Sequence, residues 1–168
     1  MSYGTEIILE EKNTEIKKAL LVLGCPEVPI QMALALYAGH HLARSGYDVY
    51  TAGNPSVMKL IKTSDPSGHY LKRLTTLEHC IEEITDRGAG YDLCISFAHN
   101  DAGISYAATM RYLLPQSRFI TLIFGRESKS LEEQVDFDTD IIAETAVHNP
   151  IPLRRRLSEV MGWGVSKN

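Results

Sequence analysis

The sequence predicts an α/β protein: a three-layer α/β/α, Rossmann-like domain with a mainly parallel sheet of about five strands. Three observations carry this. Ala19–Leu23 is a continuous apolar run ended by Gly24, as expected of a strand buried on both faces. A full helix follows, from Ile30 to Ser45, stopped at Gly46. A second strand then spans Tyr47–Ala52 and closes on Gly53-Asn54-Pro55. Two buried strands joined by a helix imply a right-handed crossover in a parallel sheet.

The same alternation continues down the chain. Pro29 suits the first position of the first helix. A short helix is expected at Ser56–Ile61, and a loop at Ser64–His69 holds Asp65-Pro66-Ser67-Gly68. Thr75-Thr76-Leu77-Glu78 reads as a capping box, with Leu77, Ile81 and Ile84 forming one stripe behind it until Arg87-Gly88. Tyr91–Phe97 reads as the third strand, and Asn100 or Asp101 caps a helix running to about Leu114. Phe119–Phe124 is a fourth strand, Ser130 and Glu133 form a second capping box, and Ile141–Val147 is a fifth strand. The last helix runs from near Pro150 to Met161. A polar N-terminal arm at 1–18, with an apolar patch at Ile7–Leu9 that suits an edge strand, precedes a single α/β domain at 19–168.

Composition narrows the function classes. The 168 residues are enough for one domain with a real core, and a net charge of −4 argues against a nucleic-acid partner. Three widely spaced cysteines, Cys25, Cys80 and Cys94, make a disulfide framework a poor reading and a cytoplasmic location the expected one. No stretch is apolar for long enough to span a membrane, and the first residues are too polar and acidic for a signal peptide. The turn GCPEVP after the first strand lacks the GxGxxG fingerprint, and Pro26 and Pro29 remove donors that a pyrophosphate would need. Neither a Walker lysine nor a GxSxG elbow is present.

Open parallel sheets bind ligands outside the carboxyl ends of their strands. The polar groups gathering there are Glu27 and Gln31 after the first strand, Asn54 after the second, and His99, Asn100 and Asp101 after the third. Arg126 and Glu127 follow the fourth, and His148 and Asn149 the fifth. Turns and caps are built from Asn, Asp, Gly and Pro in any case. Cys25, Glu27, His99 and His148 together are less easily explained that way. Cys25 before a helix N-terminus fits a nucleophile with His99 or His148 as its base, or else a small buried residue behind Gly24. Cys80 and Cys94 read as core. His40 and His41 read as helix packing. The spacing of Cys25, His99 and His148 gives no support to a metal site. Arg154-Arg155-Arg156 suits either an anion or a solvated helix face.

The segments GCPEVPIQ (24–31), NP (54–55), DPSGHY (65–70), LEHCI (77–81), ND (100–101) and HNPIPLRRR (148–156) together resemble an uncharacterised archaeal family, chiefly from methanogens, described as a domain of unknown function. The resemblance spans about Ala19 to Met161. It implies a compact α/β/α fold and a cytoplasmic archaeal setting, and it implies no activity. Its motifs map onto Cys25, Pro26, Glu27, Gln31, Asn54, Asn100, Asp101, His148, Asn149, Arg154 and Arg156. A histidine before the Asn-Asp pair is not part of the pattern, so the resemblance favours His148 over His99 as a base. The first half is also loosely similar to the amino-terminal part of corrinoid-binding domains, without their cobalt-ligating histidine motif. These readings make a small-ligand or cofactor-binding protein the first expectation, with the cofactor unspecified. A non-catalytic assembly subunit or homo-oligomer comes second, and a thiol-dependent enzyme using Cys25 and His148 third.

Overall fold

A computed structural model describes residues 15–164. The arm expected at 1–18 therefore lies mostly outside the described residues, including its apolar patch, and Lys18 already belongs to a strand.

Six strands form one all-parallel sheet: β1 (Lys18–Val22), β2 (Asp48–Gly53), β3 (Arg73–Thr76), β4 (Leu93–Ala98), β5 (Arg118–Ile123) and β6 (Asp140–Ala143). Their order in space is β3-β2-β1-β4-β5-β6. The central strands are apolar because helices cover both faces: every residue of β4 is buried, as are four of the five in β1. One face packs Leu21, Ile95 and Leu122 against α1 (Ile30–Arg44), α2 (Pro55–Ser64) and α6 (Ile151–Met161). The other packs Leu20, Val22 and Cys94 against α3 (Leu77–Arg87) and α4 (Asp101–Leu113), with α5 (Ser128–Glu133) beyond them.

The sequence reading places most elements within a few residues and misses one strand, so the sheet has six strands rather than about five. β3, with the sequence RLTT, is polar because it is an edge strand whose residues are at most half-buried. An apolar-run criterion passes over such a segment. The first capping box does not form: Thr76 is the N-cap of α3, its hydroxyl accepting from His79 N at 3.3 Å, so Glu78 falls one position short of closing a box, while Thr75 lies in β3. The second capping box does not form, because α5 begins at Ser128 with Ser130 already inside it and no side-chain cap. β6 ends at Ala143, four residues before the expected Val147. The carbonyls of Ala146 and Val147 leave the sheet to accept from Gly125 N at 2.8 Å and Ile30 N at 3.3 Å.

A loop after α2 fixes the α1 face. The Asp65 carboxylate accepts from the backbone of His69, Tyr70 and Leu71 at 2.7, 2.8 and 2.9 Å. Leu71 is thereby turned into the core against Gly39 of α1, where a Cβ would stand 2.6 Å from the Leu71 Cδ2. Trp163 closes the same face, stacked on His41 at 5.0 Å between ring centres.

Candidate functional site

The helices after β1 and β4 leave for opposite faces, so the crevice between the carboxyl ends of these two neighbouring strands is the topological switch point of the sheet. β1 and β4 run side by side with Val22 beside Ser96. This register brings Gly24-Cys25 and His99-Asn100 to the same end.

Gln31 holds the floor of the crevice. Its side-chain amide donates to Gly24 O and accepts from Gly24 N, both at 3.0 Å, and the residue is 1% exposed. The pairing continues strand-like hydrogen bonding beyond the end of β1, and it occupies an amide that the sequence reading had offered to a ligand. Gly24 leaves the space open above: a Cβ there would lie 3.5 Å from the Gln31 Oε1 and 3.6 Å from the His99 Cε1.

The first two N–H donors of α1 are already taken. Pro29 brings no N–H, Ile30 N donates to Val147 O, and Gln31 N donates to Val28 O at 3.1 Å. Glu27 N turns back to Cys25 O at 2.9 Å. In a dinucleotide-binding protein the matching donors face a pyrophosphate. Here the chain's own carbonyls take the first two, in keeping with the missing fingerprint.

His99 occupies the centre of the crevice. Its side chain is 5% exposed and its ring stacks on Phe124 at 5.7 Å. Nε2 lies 3.4 Å from Oε2 of Glu27, a long contact to a carboxylate that is otherwise in solvent. Nδ1 is buried and, among the described residues, has no hydrogen-bond partner. Gly125, at φ +92°, turns the chain past the ring after β5, and a Cβ there would lie 3.6 Å from the His99 Cβ. An enclosed imidazole with one unpaired nitrogen and a carboxylate at the other can donate, accept or relay a proton toward a molecule held between them.

The remaining expected residues divide by employment. Asn54, Asn100 and Asn149 each accept a backbone N–H through Oδ1, from Val57 at 2.9 Å, Gly103 at 2.9 Å and Ile151 at 3.1 Å. The first two are N-caps, of α2 and α4. Arg156 donates to Ala143 O at 2.6 Å and faces Glu144, while the Arg154 guanidinium lies 6.0 Å over the Tyr37 ring. The arginine run is thus divided around its helix. Asp101 and His148 are exposed on the rim, and Cys25 is half-buried beside the crevice. Burial pushes the Cys80 thiol up to about 11, opposed by its hydrogen bond with Tyr91, and raises Cys94, which is wholly enclosed, well above the ordinary thiol range. Among the described residues no group of three or more His, Cys, Asp or Glu side chains is placed to hold a metal ion. No described helix is long and apolar enough to cross a membrane.

The structure adds a cavity that sequence reasoning missed. It holds about 650 Å³ beside β2, β3 and α3, with Lys18, Lys72, Arg73 and Arg87 among its lining residues. The signal was the Lys72-Arg73 pair opening an alternating RLTT segment, hidden once Thr75 was assigned to a cap.

Comparisons with known proteins agree with this architecture. A solved structure entitled "Structure of MT0777" superposes with a TM-score of 0.81 at 37% identity, covering 87% of this chain and 97% of that one. An uncharacterised protein of Methanocaldococcus jannaschii is 30% identical over 144 residues, 84% of this chain and 95% of its own length. Residues 20–160 match the family described as "Domain of unknown function (DUF1890)", and the chain belongs to that family.

Proposed function

We propose that the protein binds a small ligand or cofactor in the crevice between the carboxyl ends of β1 and β4, with His99 and Glu27 as its principal contacts. The observation that carries this reading is the buried His99 ring, whose Nδ1 has no partner among the described residues and whose Nε2 faces an exposed carboxylate at the switch point. An unpaired buried nitrogen costs about 1–3 kcal/mol, and a hydrogen bond from a ligand offsets that cost. Asp101 and His148 extend the contact surface along the rim. Asn54, Asn100, Asn149 and Gln31 shape it through the backbone. On this reading the ligand is a small molecule of methanogen metabolism, since a similar protein comes from Methanocaldococcus jannaschii.

The test is long-range proton–nitrogen NMR of the imidazoles, recorded before and after adding the deproteinised small-molecule fraction of methanogen cells. The His99 nitrogens are expected to shift while those of His40 and His41 stay in place, and Glu27→Gln is expected to weaken the response. An unmoved His99 would exclude a ligand at this position.

A second reading rests on Cys25. It is the one half-buried thiol, while Cys80 and Cys94 are enclosed. As a nucleophile it would work from the same rim with His148.

A further inference from the structure

The cavity beside β2, β3 and α3 combines a cationic rim with an aromatic wall. Lys18 opens β1, Lys72 and Arg73 lead into β3, and Arg87 ends α3, so four basic side chains converge from three elements. Two of them are held in place. Arg73 Nε donates to Asp48 Oδ1 at 2.7 Å with its guanidinium 5.2 Å over the Tyr50 ring, and Arg87 Nη1 lies 2.6 Å from Glu83 Oε1. Each carboxylate engages one side of its fork. Among the described residues, neither Nη of Arg73 has a hydrogen-bond partner, and neither Lys18 nor Lys72 pairs with a carboxylate. Asp48, Glu83 and Asp92, whose Oδ2 accepts from Lys18 N at 2.7 Å, stand against these four cations and leave one positive charge in excess. Tyr50 and Tyr91 form the wall, their rings 5.4 Å apart at 73°.

We propose that this cavity is a binding site for a small organic phosphate that carries a flat ring. A phosphate monoester bears a charge of about −1.5 to −2 at neutral pH, which a local excess of positive charge attracts. Guanidinium forks and lysine ammonium groups suit its oxygens, and the tyrosine wall suits an attached ring. A volume of about 650 Å³ accommodates such a molecule. The site is separate from the His99 crevice, and each can fail without the other.

The experiment is an amide NMR titration of the protein with phenyl phosphate, with inorganic phosphate and phenol as parallel probes. Saturable shifts are expected at Thr75, Gly90 and Tyr91, with Gly24 and His99 unmoved. Phenyl phosphate should bind more tightly than either fragment and more weakly as salt is added. Lys72 and Arg87 are exposed, so Lys72→Ala and Arg87→Ala should keep the melting temperature and each lower the affinity about tenfold. Shifts scattered over surface lysines, equal affinity for phenol and phenyl phosphate, or unchanged affinity in both variants would each overturn the proposal.

Discussion

At the residue scale, several polar side chains that look like ligand contacts in a linear reading prove to be bonded to backbone. Gln31 is the clearest. Replacing it with Ala leaves the half-buried N–H and C=O of Gly24 without these partners, and urea unfolding is expected to show a loss of about 1–2 kcal/mol. Asp65 is a second. Burial raises its pKa, but the N–H groups of Leu71, Tyr70 and His69 outweigh that and hold the carboxyl below its ordinary value. Because the folded pKa is depressed, the stabilisation is complete above the unfolded pKa of about 3.9 and is lost as pH falls through the lower folded value. Asp65→Asn is expected to cost about 2 kcal/mol at neutral pH and to flatten the acid limb of the stability profile below about pH 4. A variant as stable as the parent at pH 7 would show that the three bonds contribute little. Cys25 is the accessible thiol. Alkylation followed by peptide mass spectrometry should modify it first, while Cys80 and Cys94 stay protected until unfolding. Equal rates at all three would remove Cys25 as a candidate nucleophile.

At the element scale, what was legible depended on apolar patterning. β1, β4 and β5 stand out because burial on both faces demands uninterrupted hydrophobic residues, and α1 stands out because its caps and stop residues frame it. β3 was lost because an edge strand has no such demand. β6 was overextended because Glu144–His148 still carries apolar residues, although after Glu144 N donates to Ile123 O the carbonyls of Ala146 and Val147 turn to Gly125 N and Ile30 N. Asn100 illustrates how a cap imitates a ligand contact. If its role is to cap α4, Asn100→Ala should cost about 1 kcal/mol, while Asn100→Asp should retain most of the stability because its carboxylate still accepts from Gly103. A ligand that tolerates Asp and stability that does not would reverse that assignment.

At the scale of the whole molecule, the strand order places the switch point between β1 and β4, and this could not be read from the chain, where β4 follows β3. Only the order in space shows that His99 and Glu27, 72 positions apart, share one crevice. The family pattern had weighed against His99, since a histidine ahead of the Asn-Asp pair is not part of it. The structure nonetheless puts this ring at the centre, with His148 on the exposed rim. Net charge hid a second feature. A total of −4 conceals a local excess of basic side chains beside β3, because those residues are scattered along the chain and assembled only by the fold.

A ligand held at His99 and Glu27 should survive native mass spectrometry of protein purified gently and without oxygen. An adduct of defined mass is expected, retained in a Lys72→Ala control and lost in both Glu27→Gln and His99→Ala. An adduct that survives both crevice substitutions, or its absence from protein freshly isolated from its native cells, would rule this ligand out.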